Sequence, residues 1–161
     1  MNFSFKVFVL SSLISTSLLQ ADLYEKGSKE IGLSVGTGSA SFGYRVNNYT
    51  ILGLSGKYYV YDGLSVGLGY RGWFGANPAI HQITVPVTYF APLSEKVRPY
   101  IGSFYRYNII EDPFKNYHSS GLRTGLSILS GETSYLSFGW VEEYSEYDNS
   151  GYPEVAFGFS F

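Results

Sequence analysis

Cysteine is absent from the 161-residue chain, which excludes a disulfide framework and any thiolate-held metal. Charge is scarce as well. Asp, Glu, Lys and Arg make up 15% of the residues, against about 25% in an ordinary soluble domain, so a full coat of solvated charge is missing. The net charge of −2 supplies no electrostatic footprint for nucleic acid. Histidine occurs twice, at His81 and His118. Two separated imidazoles without an acidic cluster do not make a metal site, and no cofactor is implied. No apolar run of 18 residues lies beyond the N-terminus, so no helical membrane span is expected. The glycines follow strand alternation instead of a strand–turn–helix context, which argues against a phosphate-binding loop.

What the chain has in abundance is Tyr (16), Phe (12) and Gly (19), a composition suited to β-structure that faces something other than water. It is organised as two parts. Residues 1–21 have the form of a signal peptide. Lys6 supplies the positive start, Val7 to Leu19 form a short apolar core, and Ala21 precedes a cut ahead of Asp22. Leu19 stands where a small residue is preferred. Residues 22–161 then form one domain.

In that domain no helical period appears. Segments of about ten residues alternate bulky apolar with small or polar side chains, separated by turn-type clusters. Eight are expected: Glu30 to Thr37 or beyond, Tyr49–Tyr61, Leu64–Phe74, Ile80–Phe90, Val97–Asn108, Ser119–Leu129, Thr133–Tyr144 and Tyr152–Phe161. Asp62-Gly63 is a tight-hairpin signal. Gly38–Val46 either forms the first loop or extends the first segment into a long hairpin turning at Asn47-Asn48. Eight strands of this length fit an antiparallel up-and-down transmembrane barrel. Closure leaves no unpaired edge in lipid, and an even strand number puts both chain ends in the periplasm.

Alternation alone does not tell a lipid-facing exterior from the apolar interior of a soluble ligand-binding barrel. The opposite face is Gly, Ser and Thr with sparse charge, a poor coat for a soluble protein, so the apolar face is assigned to lipid. Aromatics near strand ends, among them Tyr58, Tyr70, Trp73, Phe74, Tyr89, Phe90, Tyr105, Trp140, Tyr144 and Tyr152, are expected in interfacial girdles. The inward face then carries Glu30, Lys57, Arg71, Arg106, Arg123, Glu143 and Glu154. Buried charges need partners, so an ion-pair network filling the lumen is expected, with no open pore. Glu30 and Glu143, nearest the strand ends, are expected at wet rims.

The ending Glu154-Val155-Ala156-Phe157-Gly158-Phe159-Ser160-Phe161 resembles the C-terminal signal of outer-membrane barrels, whose alternating apolar residues and terminal Phe are recognised by the barrel-assembly machinery. Val155, Phe157, Phe159 and Phe161 match it position by position. Together with the N-terminal segment and the strand pattern, this makes the chain similar to the small eight-stranded outer-membrane barrels of the OmpX and OmpA-transmembrane-domain type. That resemblance implies a monomer in the outer membrane of a Gram-negative bacterium. The implied partners are membrane lipid, lipopolysaccharide, the assembly machinery and periplasmic chaperones.

Tyr117-His118-Ser119-Ser120-Gly121 is faintly similar to the His-x-Ser motif of PagL-type lipid A deacylases, which would make His118 the base and Ser120 the nucleophile. Gly121 stands where that family has Asn. The candidate acid Glu132 lies past the whole sixth strand, at about 3.3 Å per residue; Glu111 or Asp112 would serve only if their loop folds back. The favoured expectation is a structural or surface-interaction barrel. Alternatives are this enzyme and a narrow passive channel. The loops Gly38–Asn48, Gly75–Ala79, Asn108–His118 and Ser145–Gly151 are short, which argues against a large receptor.

Overall fold

The computed structural model describes residues 23–42, 44–147 and 149–161; the expected signal peptide lies outside them. Eight antiparallel strands occur among the described residues: β1 Lys29–Phe42, β2 Arg45–Tyr61, β3 Leu64–Phe74, β4 Ile80–Phe90, β5 Val97–Ile110, β6 Tyr117–Leu129, β7 Ser134–Ser145 and β8 Asn149–Ser160. They follow one another around a closed barrel in chain order. The closing pair runs from Glu30↔Ser160 to Ser34↔Ala156, and Phe161 N donates to Lys29 O at 2.9 Å. No helix long and apolar enough to cross a membrane is present among these residues. The backbone polar groups are instead satisfied between strands.

The barrel has two ends. Residues 23–28, Phe161 and the connections at 62–63, 91–96 and 130–133 define the near end. The connections at 43–44, 75–79, 111–116 and 146–148 define the far end. Asp62-Gly63 makes the expected two-residue turn. Gly63 has φ +76°, and a Cβ there would meet the Phe90 carbonyl, so glycine is required twice over.

The first hairpin differs from expectation. Its arms pair continuously out to Phe42↔Arg45, so most of 38–48 is strand and the chain reverses beyond that pair, not at Asn47-Asn48. Ser39 Oγ donates to Asn48 Oδ1 at 2.7 Å, and Asn47 Nδ2 donates to Asn77 O at 2.6 Å. The Asn side chains therefore spend their turn-forming capacity on neighbouring strands and loops.

The alternation assigns the faces as expected. Leu33, Leu52, Leu54, Leu68, Ile83, Val85, Ile101, Leu122, Leu126 and Phe138 are exposed on the outside. A continuous apolar belt of this kind far exceeds the few hundred Å² tolerated on a soluble monomer, and hydrocarbon is the solvent it suits. The buried residues sit inside the barrel, so the lumen is the core.

Candidate functional site: the filled lumen

At the near end the filling is aromatic. Tyr59, Phe90, Tyr100 and Tyr135 point inward from β2, β4, β5 and β7, and Leu23 and Tyr24 enter from the segment before β1. Tyr24 touches three of these rings, at centroid distances of 5.7 Å to Tyr59, 4.7 Å to Phe90 and 5.9 Å to Tyr135. Its hydroxyl lies 2.6 Å from Ser127 Oγ, and Gly63 N donates to its carbonyl at 2.7 Å. Burial raises the Tyr24 phenol pKa above its ordinary value, so this hydroxyl stays protonated. The Arg98 guanidinium lies over the Tyr24 ring, 4.7 Å from its centroid.

Directly against this plug, Glu30 collects a set of donors. Lys57 Nζ donates to Oε1 at 2.6 Å, the Tyr59 hydroxyl donates to Oε2 at 2.8 Å, and Tyr135 donates to Oε1. The Glu30 side chain is fully buried. The expectation of a wet rim is therefore corrected for Glu30: the 23–28 segment, invisible to strand alternation, covers that rim. Three donors make the burial of a carboxylate tolerable.

The middle of the lumen holds a triad in which Arg71 (3.2 Å) and Arg123 both pair with Glu154. Toward the far end Arg106 pairs with Glu143, its Nε donates to Thr84 Oγ1 at 2.9 Å, and its Nη1 donates to the Tyr152 hydroxyl at 3.0 Å. Glu143 starts a relay of polar side chains. Ser119 Oγ donates to Glu143 Oε1 at 2.6 Å and Asn108 Nδ2 to Ser119 Oγ at 2.9 Å. Gln82 Nε2 donates to Asn108 Oδ1 at 2.8 Å and Trp73 Nε1 to Gln82 Oε1 at 3.0 Å. Tyr49 packs edge-on against Trp73 and donates to Pro78 O at 2.9 Å. Glu143 is thus an internal node of the lumen, and the expectation of a wet rim is corrected there too.

All seven charges singled out in the sequence meet in these clusters. The relay Gln82–Asn108–Ser119, the lumen cation Arg98 and the plug residue Tyr24 were not anticipated. Asn108 and Arg98 had a signal, since they share the parity of Arg106 on β5, and Gln82 shares that of Thr84 on β4. Tyr24 had none, because it precedes the first strand. Three aromatics expected in girdles face inward instead. Phe90 is buried in the plug, Trp73 joins the relay and Tyr152 binds Arg106 and Glu143. Each lies on the inward parity of its strand, and the polar tips of Trp73 and Tyr152 find partners there.

His118 and Ser120 share the outward face of β6. His118 Nδ1 lies 2.6 Å from the Tyr105 hydroxyl, and its ring stacks on Tyr105 and Tyr107. No acidic side chain of the described residues reaches it. Glu132 sits in the near-end connection after β6, and the Glu111 carboxylate accepts from Ala79 N at 3.1 Å. Ser120 lies in an outward groove with Tyr105, Leu122 and Tyr144. His81 repeats the pattern with the Tyr70 hydroxyl at 2.6 Å. Both histidines are therefore outward members of aromatic pairs. No group of three or more metal-ligating side chains occurs among the described residues. Val155 and Phe159 face outward on β8, and Phe157 and Phe159 pack edge to face at 4.5 Å.

No family model matches the sequence. The chain is 27% identical to outer membrane protein W of Salmonella typhi, over 84% of this chain and 74% of that protein. In fold it resembles the N-terminal β-barrel domain of Pseudomonas aeruginosa OprF. The TM-score is 0.67 at 15% identity, covering 84% of this chain and 98% of that one. It also resembles Neisserial surface protein A, with TM-score 0.61 at 14% identity over 83% and 96%. The fold is that of the small eight-stranded outer-membrane barrels. Fold, apolar belt and sequence relative agree on the outer membrane as its location.

Proposed function

We propose that the chain is a monomeric structural barrel of the outer membrane, with its lumen filled by side chains and its far-end loops meeting the surroundings. The observation that supports this most directly is the succession of clusters along the lumen. An aromatic plug, the Glu30–Lys57 pair, the Arg71–Glu154–Arg123 triad and the Glu143 relay follow one another along the barrel interior, which supports a closed lumen. An eight-stranded barrel is just wide enough for side chains to fill. In this reading Val155, Phe157, Phe159 and Phe161 serve recognition by the barrel-assembly machinery after chaperoned passage through the periplasm. The outer belt is solvated by lipid and lipopolysaccharide.

Planar-bilayer recording of the purified barrel tests the central claim. No steady conductance is expected, and regular single-channel steps would refute it. A strain lacking the protein should show an altered envelope, read as changed sensitivity to detergent. Lipid-ester hydrolysis through His118 and Ser120 is the less supported reading, because Tyr105 occupies the imidazole nitrogen that an acid would orient. Deacylation of lipopolysaccharide by the wild type, lost in Ser120→Ala, would reverse that preference.

A further inference from the structure

The lumen contains more positive charge than it balances. Among the described residues Lys57, Arg71, Arg98, Arg106 and Arg123 face inward against the carboxylates of Glu30, Glu143 and Glu154. That is five cations to three anions, inside a chain whose overall charge is −2. Arg98 leans on the Tyr24 ring near the end of the barrel. The remaining excess falls on the middle triad, where two guanidiniums share the single carboxylate of Glu154.

A second, independent feature sits at the same place. A cavity of about 70 Å³ is lined by Lys57, Arg71, Arg106, Arg123 and Glu154. Arg123, one of its lining residues, has a buried Nε donor with no hydrogen-bond partner. A buried unpaired cation is costly, and a buried orphan donor adds to that cost. Both are relieved together by one negative charge placed in the cavity. Water would satisfy the donor but would leave the charge uncompensated.

We propose that this cavity binds one small monovalent anion of the chloride class between Arg71, Arg123 and Lys57. The anion completes the mid-lumen ion network and is a structural ligand of the folded barrel. The inference goes beyond the filled-lumen reading, and the two are tested separately: conductance addresses closure and halide dependence addresses the anion.

The barrel is refolded into a non-ionic detergent in sodium chloride or in sodium gluconate at equal ionic strength, and its unfolding equilibrium is measured in each. Gluconate screens surface charge equally and is too large for the cavity. Chloride at ten times its dissociation constant should lower the unfolding constant about tenfold relative to gluconate. Glu154→Gln, which leaves both guanidiniums unpaired, should enlarge that ratio. Arg123→Met, which leaves the neutral Arg71–Glu154 pair, should bring it to about one. If either variant fails to fold, wild-type crystals grown in bromide should show an anomalous peak within the cavity. Equal unfolding constants in chloride and gluconate, or bromide confined to the surface, would overturn the proposal.

Discussion

The near and far halves of the lumen are built from the same inward parity, yet they are filled differently. The near half is aromatic, and its key ring, Tyr24, comes from outside the strands. The far half is a relay of amides, hydroxyls and one ion pair, all contributed by strand residues. The contrast teaches how a barrel with a fixed circumference seals itself. Where a segment can fold into the mouth, rings exclude water and one carboxylate must be saturated with donors. Where none does, successive strands from β3 to β7 contribute polar side chains whose hydrogen bonds interlock.

The comparison can be broken most forcefully at Glu30. Removing it in Glu30→Ala strands the Lys57 ammonium and two tyrosine hydroxyls under the plug. The expected loss is about 3–5 kcal/mol, the usual cost of removing one partner of a buried pair. Urea unfolding in lipid vesicles would measure it, and a loss under about 1 kcal/mol would mean that the near half is as wet as an exposed rim.

Tyr24→Ala should cost less, about 2 kcal/mol, below the roughly 3–5 kcal/mol of an aromatic deleted from an enclosed core. Tyr24 holds a left-handed backbone, φ +76°, and the partial release of its strain of about 1–3 kcal/mol when the ring leaves limits the loss. Faster proteolysis within residues 23–28, with the barrel intact, is the matching kinetic readout. A Tyr24→Ala barrel that resists protease as the wild type does would show that the ring does not hold the segment.

Asn108→Ala sharpens the far side of the comparison. It interrupts the relay between Gln82 and Ser119 and should cost about 1–3 kcal/mol, the range for orphaned buried partners. Water filling the vacated site would bring the loss to the low end of that range. A larger loss in Asn108→Ala than in Glu30→Ala would invert the contrast between the two halves.

Much of this is legible in the sequence. Period-two alternation identified every strand from β2 to β8 to within a few residues. It separated Leu52, Leu54 and Leu68 from Lys57 and Arg71, because neighbouring side chains in a strand must point to opposite faces. Asp62-Gly63 located its turn because the second residue there adopts positive φ, which suits glycine. Asn47-Asn48 misled for a physical reason: local turn propensity lost to cross-strand pairing that continued to Phe42↔Arg45. Trp73, Phe90 and Tyr152 were misassigned because their type suggested an interface while their parity pointed inward.

The sequence by itself determined the strand count, the two faces and the sign of each inward charge, since these follow from local periodicity and composition. Only the tertiary structure decided which charges pair, that Tyr24 closes the near mouth, and that Arg71 and Arg123 converge on Glu154. Those outcomes depend on barrel closure and on the stagger between strands. Such features bring together residues as far apart as Glu30 and Tyr135, and no local pattern encodes them.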